Sequence, residues 1–266
     1  MEITYPDLLN NYLNFCSRRE VCLKTNILDL RETNWLYPTT LLPLGIFIKA
    51  HKETIDYRPP HNPNVANYIS LVTGNLDIDD IQNKSFIPIV SLPIKKDESD
   101  KILQYIYKLH NDGKDYGGEN AFKYLIGELV DNMYEHSQFN NALVLAQRYD
   151  KKGFVEICFF DDGITIAGSF LNKEIKFEDS KAIVEALNGL SSKNKDRGYG
   201  LSSNLNIFIK GLCGDMLIVS GAGAVFVSKT MQKIYKLKEI NSLKGTLISI
   251  RIPYPAKEID IYEYLS

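Results

Sequence analysis

The sequence contains little cysteine: four residues among 266, none of them in a C-x-x-C pair and none grouped with the four histidines. A zinc site is therefore not expected, and free thiols in a reducing compartment fit this usage best. The chain also lacks an excess of either charge, with a formal net charge of −2. It therefore carries no overall electrostatic signature of nucleic-acid or anionic-membrane binding.

Long apolar runs are missing as well. No stretch reaches the roughly 18 apolar residues of a membrane-spanning helix, and the first residues lack the pattern of a signal peptide. A P-loop is also missing, since no G-x-x-x-x-G-K-[ST] string occurs. With 44% hydrophobic and 24% charged residues, the composition is that of an ordinary globular protein. These features predict a cytoplasmic protein that binds neither nucleic acid nor a membrane.

Residues 121–137, AFKYLIGELVDNMYEHS, predict a helix because apolar side chains recur on one side at helical spacing. Glu128, Asn132 and His136 follow one another at four-residue intervals on the other side. A carboxylate and a carboxamide one turn apart can hold a metal-bound polyphosphate and leave the carboxylate free to accept a proton. Taken alone, the pattern favours an ordinary solvated helix face, and only the features that follow it along the chain favour a binding site.

Two further stretches carry candidate binding residues. A hairpin is predicted from strands at 142–149 and 154–160, and the second strand ends at Asp161, Asp162 and Gly163. A carboxylate there can accept the amino group of adenine, and the glycine lets a base approach the backbone, although an Asp-Gly turn is the common alternative. Gly198 and Gly200 open a helix predicted from 201 to about 210, where exposed N–H groups favour an anion, although a plain loop also fits.

In chain order, these features resemble the four sequence boxes of the GHKL superfamily of ATP-binding domains. The boxes are Glu128…Asn132, Asp161-x-Gly163, Gly198-x-Gly200 and Gly245-Thr246, over roughly residues 100–253. The string Asn132-x-x-x-His136 is closest to the anti-sigma serine-kinase branch. The resemblance implies a two-layer α/β sandwich, the Bergerat ATP-binding fold, with helices on one face of a mixed sheet and with ATP and Mg²⁺ as cofactors.

The resemblance also implies a role for each matching residue. Asn132 would coordinate Mg²⁺, and Glu128 would be the general base for a water or a substrate hydroxyl. Asp161 would bind the adenine amino group above Gly163, and Thr246 would bond Asp161 or its water. Phosphates would accept backbone N–H bonds from Gly198, Gly200 and Leu201. From their charge and position alone, the nearby cations Lys193, Lys195 and Arg197 are added to this phosphate-binding lid.

One position departs from the family pattern. Thr165 stands where the family has a second glycine in the box that begins at Asp161. A side chain there would narrow the floor of the pocket or change the hinge of the lid. This departure affects the prediction of turnover more than the prediction of binding.

The N-terminal part, residues 1–95, is predicted to be a smaller α/β domain that precedes the ATP-binding domain of residues 96–266. A strand at 27–30, a loop and a helix at 41–49 resemble the centre of STAS domains. The phosphorylated serine of that family aligns with Pro38, beside Thr39, so an interaction role is preferred to a phosphoacceptor role. Further strands are predicted at 68–72 and 86–94, with a proline-containing loop at 57–65 between helix and strand.

Three functions follow from these patterns. The first is a Mg-ATP-dependent ATPase or protein serine/threonine kinase that regulates a partner protein through its N-terminal domain. The second is a nucleotide-gated binding switch without appreciable turnover. The third, against which the complete set of boxes argues, is an interaction protein that has lost nucleotide. The sequence leaves open whether the chain forms a homodimer.

Overall fold

The computed structural model describes residues 5–73, 86–109, 111–190 and 200–264. The α-helices are α1 (Asp7–Thr25), α2 (Pro38–His51), α3 (Pro63–Thr73), α4 (Ser99–Leu109), α5 (Glu119–His136), α6 (Ile166–Leu171), α7 (Asp179–Leu187) and α8 (Gly200–Asn206). The strands are β1 (Ile27–Asp29), β2 (Asp56–Arg58), β3 (Phe86–Ser91), β4 (Ala142–Tyr149), β5 (Phe154–Asp161), β6 (Asp215–Gly221), β7 (Gly223–Val227), β8 (Gln232–Lys236) and β9 (Leu243–Pro253). No helix in these ranges has both the length and the apolar character needed to cross a membrane.

A seven-stranded sheet forms the centre of the molecule, in the order β3-β4-β5-β9-β6-β7-β8. The predicted α/β class is thus confirmed in its general form. The expectation of a mixed sheet is wrong, because all neighbouring strands in this sheet are antiparallel. Short turns join β4 to β5, β6 to β7 and β7 to β8, and such turns can connect only antiparallel neighbours. Strands β1 and β2 form a separate parallel pair.

The central sheet is covered by helices on both faces. Its side chains alternate between the faces, so each inner strand contributes to two hydrophobic clusters. The face covered by α4, α5 and α7, here called the α5 face, includes Val144, Phe159, Ile218 and Ile250. The opposite face, here called the N-terminal face, packs against α1, α2 and α3 and includes Leu145, Phe160, Leu217 and Leu247. The result is three layers where the sequence indicated two, because the N-terminal segment lies on the sheet rather than apart from it.

The N-terminal segment contains the predicted strand, loop and helix as β1, residues 30–37 and α2. The strand predicted at 68–72 is wrong, because these residues belong to α3. Asn62 precedes this helix and its side chain accepts the Asn64 N–H at 3.0 Å, while Pro63 occupies the first helical position, where proline is well tolerated. Val65 and Ile69 are buried one turn apart, which is helical spacing. Strand β3, which the expected boundary at residue 95 assigns to this segment, pairs with β4 in the large sheet.

A buried polar junction connects α2 to the N-terminal face of the sheet. The side chain of Glu156 is fully buried, and its Oε1 accepts the Thr39 N–H at 3.0 Å and the Thr39 hydroxyl at 2.7 Å. Its Oε2 accepts from Nε of Arg251 at 2.8 Å. The carboxylate therefore caps the positive N-terminus of α2 and pairs with a cation from β9. The Thr39 hydroxyl is itself buried and also contacts Ser249 at 2.6 Å, so it is not accessible for phosphorylation.

Replacing Glu156 with glutamine is expected to lower the free energy of unfolding by about 3 kcal/mol. Arg251 then keeps its largely buried position with only the exposed Asp7 carboxylate, 3.6 Å away, as a counter-charge. Urea unfolding followed by circular dichroism measures the change. Glu32→Gln is the matched control, since the Glu32 side chain is 94% exposed and its loss should matter by less than about 0.5 kcal/mol. Equal urea midpoints for Glu156→Gln and Glu32→Gln would show that the junction does not hold the N-terminal helices in place.

Candidate functional site

Asp161 lies at the end of β5 and is buried on the α5 face of the sheet, with 3% of its surface exposed. Its cross-strand neighbours are Ala142 in β4 and Thr246 in β9. The Asp161 Oδ1 atom accepts the Gly163 N–H at 3.0 Å. The Ser137 hydroxyl, which donates to the Met133 carbonyl at 2.8 Å, and the Thr246 backbone N–H lie close to this carboxyl group. The structure therefore brings together three of the predicted binding residues: Asp161, Gly163 and Thr246.

Burial dominates the electrostatics of this carboxyl group. It raises the pKa of Asp161 to about 7, with a smaller contribution from the neighbouring Asp162 and a partial opposing effect of the nearby polar groups of Gly163, Ser137 and Thr246. Asp162 differs, because burial raises its pKa but hydrogen bonds from Asn141 and Asn140 outweigh burial and lower it. A buried carboxyl that changes protonation near neutral pH is typical of functional sites.

Gly163 and Gly245, two glycines of the predicted ATP-binding boxes, lie where a side chain would clash with the protein's own backbone. A Cβ at Gly163 would lie 1.9 Å from the Ser137 carbonyl oxygen, and this carbonyl accepts the Ile164 N–H at 2.6 Å. Gly245 has a φ of +86°, and a Cβ there would lie 2.0 Å from the Asp161 carbonyl oxygen. The sequence explained Gly163 by the approach of a base, whereas the structure explains it by the close contact between the end of α5 and the end of β5.

Thr246 reaches Asp161 through its backbone, while its hydroxyl lies 3.0 Å from Oγ of Ser220. The Ser220 hydroxyl also donates to the Gly245 carbonyl at 3.1 Å and accepts the Ile166 N–H at 2.9 Å. Sequence reasoning missed Ser220. The available signal was a serine at the end of the apolar strand at 216–220, which is where a buried hydroxyl can join neighbouring backbones.

Thr165 lies at the N-cap of α6, a helix that the sequence analysis did not anticipate. Its hydroxyl accepts the Gly168 N–H at 3.0 Å. Capping by threonine is a common helix start. The side chain is thus used to begin α6, which fixes the backbone that follows Gly163.

Glu128 and Asn132 both lie on α5 and are half-buried. Tyr124, one turn before Glu128, lies close to the Ser203 side chain in α8. Burial raises the pKa of Tyr124, the Glu128 carboxylate raises it further, and the Ser203 side chain lowers it. His136, at the end of α5, is half-buried with a pKa lowered by burial, and its Nδ1 lies 3.4 Å from the Ser169 hydroxyl. Helix α5 therefore connects the end that holds Asp161 with the region of α8.

Only part of the predicted phosphate-binding side is described. Gly200 and Leu201 begin α8, and the Leu201 side chain packs against the cluster on the α5 face. Lys193, Lys195, Arg197 and Gly198 lie outside the described residues. Within the described ranges, no group of three or more His, Cys, Asp or Glu side chains is arranged to hold a metal ion. Asn132 thus remains the predicted protein ligand for Mg²⁺.

Comparison of the chain with known protein families, curated proteins and solved structures gives no match.

Proposed function

We propose that this chain is a Mg-ATP-binding protein of the GHKL type that hydrolyses ATP or transfers its terminal phosphoryl group to a serine or threonine of a partner protein. The observation that carries the proposal is the buried carboxyl group of Asp161, beside Gly163, Ser137 and Thr246 at one end of α5. Glu128 and Asn132 lie further along the same helix.

The spacing along α5 fits an extended nucleotide. Ser137, whose hydroxyl lies close to the Asp161 carboxyl group, directly follows α5. At 1.5 Å per residue, Asn132 lies about 7 Å and Glu128 about 13 Å back along the helix axis from Ser137. A purine at Asp161 would therefore direct its phosphates toward Asn132, and Glu128 would follow beyond the metal. This order of purine, metal ligand and proton acceptor is the one that the proposed chemistry requires.

The metal site would be formed mainly by the nucleotide itself. Mg²⁺ prefers six oxygen ligands and commonly takes one or two from the protein, with phosphates and waters supplying the rest. Asn132 alone is sufficient for such a site, so the absence of a carboxylate cluster in the described part of the chain is compatible with it. When bound, Mg²⁺ would neutralise charge on the phosphates, and Glu128 would accept the proton of the attacking hydroxyl or water.

Helix α8 would form the side of the nucleotide pocket that faces α5. The side chains of Tyr124 and Ser203 lie close together, so α8 meets α5 one turn before Glu128. Gly200 lies one turn before Ser203, so the first N–H groups of α8 are near the Glu128 end of α5. These N–H groups would bind phosphate oxygens, and the predicted cations of residues 191–199 would complete the lid.

The N-terminal segment fits an intramolecular role. Its helices cover the N-terminal face of the sheet, and Thr39 is buried in the Glu156 junction. We propose a STAS-like interaction domain without a phosphoacceptor, preceding a Bergerat-type ATP-binding domain in a cytoplasmic regulatory protein. Its partner protein would be recognised by surfaces other than the one already packed on the sheet.

One observation favours a second function, that of a nucleotide-gated switch without appreciable turnover. Thr165 caps α6 and fixes the backbone beside Gly163, where a glycine would give a freer hinge. A fixed backbone there would favour retention of nucleotide over release. Full occupancy by ATP without phosphate release or phosphotransfer would select this function over the first.

Isothermal titration calorimetry with ATP and Mg²⁺ tests the proposal directly. Binding and a thermal shift are expected with ATP, and chelation of Mg²⁺ should weaken the affinity, because the phosphates would then lack the cation that Asn132 would help to hold. GTP is the matched control, since its ring carbonyl replaces the amino group and would place an acceptor against Asp161. If ATP produces neither heat nor a thermal shift, both functions are rejected.

A further inference from the structure

Asn204 is a polar side chain buried in the interior of the molecule. It lies in α8, none of its surface is exposed, and both its Nδ2 and its Oδ1 lack a partner among the residues that the structure describes. Leu201, three residues earlier, and Phe208, four residues later, belong to or pack against the cluster on the α5 face. Asn204 therefore points into an apolar region, where an unsatisfied amide is strongly unfavourable.

A π-helical segment directly follows Asn204 and α8. It covers Ile207–Gly211, and the Leu212 N–H donates to the Ile207 carbonyl at 2.9 Å, five residues back. A π-helical turn holds one residue more than the corresponding α-helical turn, and such turns are rare and frequent at functional sites. Conversion of this segment to α-helix would shift α8 by one residue, a rotation of about 100°.

The direction of this rotation follows from the helix geometry. With the chain beyond Gly211 fixed, each residue of α8 would move to the position that its predecessor holds. Leu205, now half-buried, would take the buried position of Asn204. Asn204 would take the position of Ser203, whose side chain lies close to the Tyr124 hydroxyl, one turn from Glu128. One movement would therefore fill the apolar position with leucine and bring the amide to the face of α5 that carries Glu128.

We propose that Asn204 is a positioning residue for the nucleotide-bound state, in which the π-helical segment becomes α-helical and the Asn204 amide moves beside Tyr124 and Glu128. The inference rests on the proposed function, because bound nucleotide is what favours the rotated state. There the amide donates to the Glu128 carboxylate and orients it. In the state described, the unsatisfied amide keeps the two arrangements close in free energy.

Replacing Asn204 with leucine separates this role from a purely structural one. Leucine suits the apolar position, so Asn204→Leu should raise the urea midpoint of the nucleotide-free protein. The same change should reduce the population of the rotated state and weaken affinity for a non-hydrolysable ATP analogue with Mg²⁺ by roughly tenfold to a hundredfold. Calorimetry and urea unfolding measure the two effects, which have opposite signs.

Asn206→Leu is the matched control, because it makes the same change two residues away at a half-buried position of α8. It should alter affinity by less than about threefold. Higher stability of Asn204→Leu with unchanged affinity for the analogue would overturn the positioning role. If the wild-type protein does not bind the analogue, the proposed function fails and this inference fails with it, so the wild-type titration distinguishes the two failures. Hydrogen exchange of residues 207–211 should also change when the analogue is added to the wild-type protein and remain unchanged in Asn204→Leu.

Discussion

Replacing Glu128 with glutamine is expected to lower the rate of phosphate release or phosphotransfer by about 10²–10⁴-fold and to leave ATP bound. Glutamine keeps the size and the half-buried position of the side chain on α5, but it cannot accept a proton. Phosphate release under saturating Mg-ATP and transfer to protein substrates measure the rate. Calorimetry under the same conditions should give a dissociation constant within about threefold of the wild-type value, since Glu128 lies beyond the metal and does not hold the purine.

Glu135→Gln is the matched control for this experiment. Glu135 lies two turns further along α5, is exposed, and has a carboxylate oxygen 3.5 Å from Nζ of Lys96. Loss of such a surface charge should not affect turnover. If Glu128→Gln and Glu135→Gln release phosphate at the wild-type rate, Glu128 is not the proton acceptor. If the wild-type protein binds ATP without any turnover, the nucleotide-gated switch is the better description.

The parts of the fold that the sequence predicts correctly are those in which local pattern and tertiary packing agree. The hairpin of β4 and β5 has strong β-forming residues on both sides of a short turn, and α5 has a continuous apolar side. Helix α3 was missed because the prolines at 59, 60 and 63 resemble a loop, although Pro63 is the first residue of the helix. Val65 and Ile69 are buried by tertiary packing against the sheet, and local propensity does not predict such packing.

The sequence analysis also did not predict the third layer, which the N-terminal helices form on the sheet, and the reason is related. Strand β4 reads as an almost continuous apolar run, which indicates burial on both faces but does not say what covers each face. The sequence does not predict the buried junction at Glu156 either, because a single charged residue in a strand usually faces solvent. Its partners Thr39 and Arg251 lie 117 and 95 residues away in the chain, so only the folded structure brings them together.

The residues of the candidate site also include some that the sequence identifies and others that only the folded structure shows. The sequence identified Asp161 and Gly163 from an aspartate and a glycine at a strand end, and the structure places both beside Thr246. It did not identify Ser137, because a lone serine carries no periodic signal, and it missed Ser220 although that serine ends an apolar strand. The burial that moves the pKa of Asp161 depends on the α5 layer and is likewise not readable from the chain. The sequence analysis did not select Asn204, because a single polar residue in an apolar helix is usually taken to lie on the exposed side of that helix.

Replacing Asp161 with asparagine is expected to weaken ATP binding by roughly 30- to 100-fold, because the amide directs a donor at the adenine amino group, which is also a donor. The wild-type affinity should depend on pH. The bound amino group favours the ionised carboxyl, so binding below the pKa of about 7 requires loss of a proton. Affinity should then fall by up to about tenfold for each pH unit below 7 and level off above it. Calorimetry in buffers of different ionisation enthalpy measures the released proton.

The same variant should change the pH dependence of stability. In the folded protein the pKa of Asp161 is raised from 3.8 to about 7, so at intermediate pH the folded state retains a proton that the unfolded state releases. Stability therefore falls as pH rises through this window, by about 4 kcal/mol in total at 1.36 kcal/mol per unit. Asp161→Asn lacks this titration, and its unfolding free energy relative to the wild-type protein should increase by a similar amount between about pH 4 and pH 8. Urea unfolding at several pH values measures the difference.

Asp162→Asn is the control for both pH experiments, because it removes the adjacent charge at the same strand end. Asp162 accepts the backbone N–H groups of Asn140 and Asn141 at 2.9 and 2.8 Å, so the variant should lose stability. It should keep a pH-dependent ATP affinity, with the midpoint moved to lower pH because the Asp162 charge contributes to the raised pKa of Asp161. A wild-type affinity that does not change between about pH 5 and pH 8 would mean that no purine amino group meets Asp161. ATP bound under those conditions would have to lie elsewhere, and the assignment of α5 as the axis of the nucleotide would fall, because its direction is fixed by the contact between Asp161 and the residue that follows α5.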